Sequence, residues 1–200
     1  MPPKPIFTRD EIVEMAFQLV RQHGMKKLSA RTIARELKSS TMPIYSSVSS
    51  MKALEREVHE KFRGLFLQYT TKSWTGNALL DISFGFIRLA KDEKQLFRIM
   101  FATDDATEVA WYKEEKKIVE PILLARVKAQ PEFQAFTDSQ IQYIMNFMGI
   151  FMQGLASLIN DGRLDDDSDD QILSTLKEAY NAFRQQAKSL PSRSPNSKED

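Results

Sequence analysis

Apolar residues recur along most of this chain at intervals of three and four, the spacing of a helix with one buried face, and no stretch alternates as a strand would. Between residues 8 and 24, Ile12, Val13, Ala16, Phe17, Leu19 and Val20 form one broad apolar face. Thr8 and Glu11 ahead of it read as a capping box, each side chain bonding the other residue's backbone N–H, and Gly24 closes the helix as its left-handed cap residue. A shorter helix starts after Ser29, whose hydroxyl can accept an unpaired N–H of the opening turn, and carries Ile33, Ala34 and Leu37 on one stripe. Lys38, Ser39 and Ser40 break it. A third helix begins at Ser40 or Thr41, because Pro43 is tolerated only in a first turn. Ile44 and Val48 then face inward, and Thr41, Met42, Ser46 and Ser47 face outward with Tyr45 beside them. Two short helices and a tight turn have helix-turn-helix spacing, and Phe17, Val20, Leu28, Ile33, Leu37 and Leu54 are expected to form the small core beneath them.

A fourth helix runs from about Met51 into the low seventies, with Ala53, Leu54, Val58, Phe62, Leu65, Phe66 and Tyr69 at helical spacing, and Lys72 to Asn77 forms the next turn. Further helices are predicted near 77–91, 93–102, 106–129, 138–161 and 170–188, the third of them kinked or broken at Pro121. The acidic loop Asp161 to Asp170 sets negative charge at the start of the last helix. The Pro-rich start, Met1 to Phe7, reads as a loose arm carrying Lys4, and the polar stretch from Pro191 onward as a disordered tail. The fold class is therefore all-α, divided into residues 1–54, 55–190 and a tail 191–200.

The segment from Leu28 to Leu54 resembles the TetR-type transcriptional regulators. Their segment runs approximately Leu-Ser-x-Arg-x-Ile-Ala-x-Glu-Leu-Gly-Val-Ser-x-Met-Ala-Ile-Tyr-x-His-Phe-x-Ser-Lys-x-x-Leu, and Leu28, Ser29, Arg31, Ile33, Ala34, Glu36, Leu37, Ser40, Met42, Ile44, Tyr45, Ser50 and Leu54 match it in register. The resemblance covers roughly residues 8 to 60. The chain departs from it at Lys38, where the family has Gly, at Ser47 for His, at Val48 for Phe and at Met51 for a phosphate-binding Lys. A left-handed Lys38 would carry a strain of roughly 1–2 kcal/mol. The resemblance implies a three-helix DNA-binding head and a C-terminal helical domain that binds a ligand and dimerises. It implies double-stranded DNA as partner, contacted by Ser29, Arg31, Ser40, Thr41, Met42, Tyr45, Ser46, Ser47 and Lys52, with the third helix in the major groove.

Charge agrees with that division once it is split along the chain. Residues 1–54 hold nine Lys or Arg and four Asp or Glu, a net of +5, while the rest carries a net of −4. A basic head on a mildly acidic body suits a DNA-binding module joined to a sensing one. The absence of cysteine excludes disulfides and thiolate ligands, and His23 and His59, far apart in sequence, offer no metal site. No cofactor is expected. No apolar run reaches the ~20 residues of a membrane span and the N-terminus has no signal-peptide core, so a cytoplasmic protein is expected.

The body carries two further patterns. Phe66, Phe97, Met100, Phe101, Trp111, Tyr112, Met145, Met148 and Met152, with Phe84 and Phe86, are soft or aromatic side chains suited to an apolar effector, although each taken alone reads as core before it reads as a ligand contact. The segment 138–161 is apolar on two sides, so Phe147, Phe151 and Leu158, with Leu173, Leu176, Tyr180 and Phe183 of the last helix, are expected to meet a second copy in a homodimer, helped by Gly149, Gly154 and Ala156. Three functions compete: a ligand-released DNA-binding repressor, a helical co-regulator without strong DNA affinity, and an enzyme. The last lacks a nucleophile and base at usable spacing, and Glu114 and Glu115 read as a solvated helix face. In the repressor, a ligand among the body helices would tilt the fourth helix and move the heads apart. A preference of ~2–3 kcal/mol for the tilted state would lower operator affinity roughly thirty- to over a hundredfold, with operator weakening ligand binding equally.

Overall fold

The Thr8 hydroxyl accepts the Glu11 N–H at 3.2 Å while the Glu11 carboxylate accepts the Thr8 N–H at 2.8 Å, so both halves of the capping box are closed where the first helix begins. The computed structural model describes residues 7–191, and among them every regular element is helical. In order these are α1 (Arg9–His23), α2 (Ala30–Glu36), α3 (Met42–Ser47), α4 (Met51–Thr71), α5 (Ala78–Asp92), α6 (Lys94–Phe101), α7 (Ala106–Lys128), α8 (Asp138–Asn160) and α9 (Asp169–Ser189), with 3₁₀ turns at Met25–Lys27 and Pro131–Phe133. The expected N-terminal arm up to residue 6, and the expected tail beyond residue 191, lie outside the described residues.

The described chain forms two compact units, one from residues 7–67 and 93–113, the other from 68–92 and 114–191. In the first, α1, α2 and α3 pack on one another and α6 packs on α1. Phe17, Val20, Ile33, Ile44, Val48 and Leu54 are buried there as the pattern predicts, but Leu28 and Leu37 are only half-buried. Two ion pairs hold α4 to α1: Arg9 with Glu57 at 2.7 Å and Lys61 with Glu14 at 2.7 Å.

The turn after α2 shows what replacing glycine by lysine entails. Lys38 has φ 49°, the one positive φ at a non-glycine position among the described residues. The N–H groups of Lys38 and Ser39 return to the carbonyls of Arg35 and Ala34, at 3.1 and 2.9 Å. That pattern is a Schellman cap. After α8 the same pattern recurs with Gly162 (φ 69°) in the left-handed place, its N–H on Ile159 and that of Arg163 on Leu158. Lysine in that geometry carries about 1 kcal/mol or more of strain that glycine avoids. Gly24 behaves differently: φ is positive (83°), but ψ is 165°, so it leaves α1 in an extended rather than a left-handed helical conformation.

In the second unit α5 lies against α8 and α9, which also pack on each other. The loop before α5 is gathered by the Asp81 carboxylate, 1% exposed, which accepts the N–H groups of Trp74 (3.0 Å) and Thr75 (2.6 Å) and meets Arg126 at 3.4 Å. Of the kink or break predicted at Pro121, the break is absent: α7 runs through it as one helix. Pro121 and Lys117, whose carbonyl loses its helical partner, are both exposed, so water can satisfy that carbonyl. No helix among the described residues is long and apolar enough to cross a membrane.

Candidate nucleic-acid interface and aromatic cluster

α3 is only six residues long, and burial fixes its orientation. Pro43 and Ile44 on one side are buried and Val48, just past its end, is 2% exposed, which leaves Met42 (77%) and Tyr45 (59%) in solvent. Ser40 and Ser46 are exposed with them and Thr41 is half-buried. Arg31 on α2 and Lys52 in the first turn of α4 are exposed.

Three of the predicted contact residues have hydroxyls committed elsewhere. Ser29 caps α2, accepting the Thr32 N–H at 3.1 Å, with Thr32 accepting the Ser29 N–H in return at 3.0 Å. Ser46 donates to the Pro43 carbonyl at 2.9 Å, a bond within its own helix. Ser47, expected on phosphate, is half-buried and donates to the Phe7 carbonyl at 3.1 Å, tying α3 to the segment before α1. All three keep oxygen lone pairs, but Ser46 and Ser47, whose protons go to backbone carbonyls, offer no free proton to a phosphate in this state.

Six of the nine predicted ligand contacts, Phe66, Phe97, Met100, Phe101, Trp111 and Tyr112, fall in the first unit, and the rings of Phe66, Phe97, Phe101 and Tyr112, from α4, α6 and the start of α7, form a cluster. Phe101 is its hub, with centroids 5.2 Å from Phe97, 6.1 Å from Phe66 and 5.5 Å, edge-on, from Tyr112. Met145, Met148 and Met152 belong to the second unit, where Met148 is fully buried. Phe84 likewise sits there, edge-on to Trp74 at 5.2 Å.

Trp111, next to Tyr112 in sequence, extends this aromatic region through two residues that are not among the predicted ones. His59 stacks on Trp111 at 4.1 Å and 29°, and Phe62 meets the same indole edge-on at 5.8 Å. Their spacing from Phe66, four and seven residues along α4, was the available signal. Burial pushes the His59 imidazole down to about 4, so the ring is neutral at pH 7. A histidine whose folded value is depressed stabilises the fold fully above its unfolded value near 6.5, and that stability is lost as pH falls through 6.5 toward 4. Solvent reaches part of the ring, so we expect the loss between pH 7.5 and 5 to be only about 1 kcal/mol greater in the parent than in His59→Phe. Urea unfolding of both proteins at the two pH values measures it, and equal losses would mean the imidazole contributes nothing to acid sensitivity.

On the second unit, α8 carries an apolar stripe in solvent: Phe147, Ile150 (72% exposed) and Leu158, with Phe151 and Phe183 half-buried and their rings 6.3 Å apart. Gly154 lies in this stripe, and a Cβ there would meet nothing within 4 Å. Leu176, predicted at the dimer interface, is fully buried in the unit's own core, and Tyr180 is buried too, donating to Glu132 at 2.9 Å. Of α9's predicted contacts, Leu173 is half-buried like Phe183, while Leu176 and Tyr180 are already used inside the unit. No group of three or more His, Cys, Asp or Glu among the described residues is placed to hold a metal ion. No known family model matches this chain, and no curated protein matches it either.

Proposed function

We propose that this chain is a dimeric, TetR-like transcriptional regulator acting as a repressor, which binds palindromic operator DNA through α3 and is released by a small, largely apolar aromatic effector. The observation that carries the reading is α3 itself: a short helix pinned by Ile44 and Val48 whose two largest outward side chains, Met42 and Tyr45, have no role in the protein's own core. The basic bias of residues 1–54 favours approach to phosphate. Thr41, Met42 and Ser46 read base edges, and Tyr45, Arg31 and Lys52 hold phosphate. A single α3 offers few contacts, so two copies reading half-sites ~34–36 Å apart give the specificity. The aromatic cluster belongs to the same compact unit as α1–α3, which gives an effector a short route to the DNA-binding helices and makes effector and operator weaken one another.

Selection of bound fragments from random duplex DNA at fixed salt should enrich a palindrome. Tyr45→Phe should then weaken binding to all sequences alike by a few fold, whereas Thr41→Ala should relax preference within the site. Failure to enrich any sequence, or unchanged binding in the double variant, would remove the DNA-binding reading. The dimer is expected to form on the α8 stripe, so Ile150→Glu combined with Leu158→Glu should sediment as a monomer and lose at least tenfold in operator affinity. Both positions are exposed, which spares the protomer's core.

One observation favours a second reading, a helical co-regulator that binds another protein. Thr41 to Ser50 contains no Lys or Arg, and two of its hydroxyls are tied to backbone carbonyls. The same DNA selection separates the two.

A further inference from the structure

We propose that the indole N–H of Trp111 is the polar anchor for a flat aromatic ligand that presents a hydrogen-bond acceptor, a ring nitrogen or a carbonyl oxygen. Calling that ligand the effector rests on the regulator reading above, whereas its binding is a property of the cluster alone. The chain has two tryptophans, and their indoles are treated differently. Trp74 donates its Nε1–H to the Tyr69 carbonyl at 3.3 Å. Trp111 Nε1 is buried and has no hydrogen-bond partner.

A buried indole N–H normally finds a partner, and one without invites explanation by what binds there. A water molecule would need roughly two to four polar neighbours. Here the neighbours with ring contacts to the indole are the stacked His59 and the edge-on Phe62, and Tyr112, next in sequence, meets Phe101 edge-on. Such surroundings suit a flat ring better than a water. Charge narrows the class further. The N–H edge of an indole is its positive edge, so it repels a cation and welcomes a lone pair, and the neutral imidazole at its face supplies no counter-ion for an anion. What remains is an uncharged ring system with one acceptor in its plane.

Quinoline and naphthalene have the same shape and differ by one ring nitrogen. With the full chain as Trp74→Phe, the remaining indole resonance in a proton–nitrogen correlation spectrum belongs to Trp111. Quinoline should move that proton downfield in a saturable way, and naphthalene should not. Trp111→Phe, which keeps an aromatic ring and removes the N–H, should lower the quinoline-to-naphthalene affinity ratio roughly fivefold, the worth of one neutral hydrogen bond. If Trp111→Phe loses its helical circular dichroism, the resonance shift decides alone. No downfield shift with quinoline, an equal shift with both probes, an unchanged ratio in the variant, or binding of neither probe would each overturn the anchor. A protein that selects DNA yet ignores quinoline keeps the regulator reading and loses the anchor. One that binds quinoline through Trp111 but selects no DNA keeps the anchor and loses the regulator.

Discussion

Gly85→Ala should abolish stable folding of the second unit or weaken it by about 3 kcal/mol or more, near or beyond the upper end of overpacking costs, because the added methyl has nowhere to go. A Cβ on Gly85 would lie 2.1 Å from the Tyr69 carbonyl oxygen, 2.7 Å from its carbon and 3.1 Å from the Thr70 Cα. All three are backbone atoms, so no side chain can rotate aside, and α5 would have to separate from the end of α4. Gly64 provides the control. It is also helical, a Cβ there meets nothing within 4 Å, and Gly64→Ala should stabilise by up to about 1 kcal/mol through helix propensity. Thermal unfolding of the two variants beside the parent measures both signs. A Gly85→Ala protein that melts within a few degrees of the parent would show that α4 and α5 do not approach this closely.

The second large effect is expected at Arg21. Its guanidinium makes a two-pronged pair with Glu93, Nε to Oε2 at 2.6 Å and Nη2 to Oε1, and Glu93 is only 5% exposed at the N-terminus of α6. Removing the cation leaves a buried carboxylate deprived of its main partner. Since Arg21 is itself 41% exposed, solvent softens the loss, and Arg21→Ala should cost about 2–3 kcal/mol rather than the full penalty of a sealed pair. Adding Glu93→Gln should recover part of it, because a neutral amide is less costly to bury alone. The pair joins α1 to the helix that carries Phe97 and Phe101, so Trp111 fluorescence should report the same transition. Urea titrations of the single and double variants decide the matter: a loss below about 0.5 kcal/mol for Arg21→Ala would place the pair among ordinary surface contacts.

Local signals were legible in the sequence because their physics is local. The capping box at Thr8 and Glu11, the first-turn place of Pro43, the inward Ile44 and Val48 and the positive φ of Lys38 each depend on residues within a turn or two. What the sequence hid depends on distant partners. The carbonyl that forbids a side chain at Gly85 comes from Tyr69, Ser47 meets Phe7, and Trp111 meets His59. The stripe on α9 was visible as a stripe, but periodicity cannot say which of its members is sealed in the unit's core, as Leu176 is, and which stays half-buried against α8 rings, as Phe183 does beside Phe147 and Phe151. The candidate aromatic site was legible as a composition and not as a place. Only packing separates Phe66, Phe97 and Phe101 from the methionines of α8.

α5 also sets a timetable for synthesis. Twelve of its fifteen residues are buried in the finished protein, and its partners α8 and α9 are encoded at Asp138–Asn160 and Asp169–Ser189. While the ribosome adds the intervening residues, at roughly 5–20 per second, α5 waits for something on the order of five to twenty seconds with its greasy faces uncovered. The first unit can close as soon as residue 113 has emerged, but the second cannot. A nascent chain stalled between residues 113 and 160 should therefore be the form of this protein that chaperones hold most tightly, and the one most prone to aggregate where they are scarce.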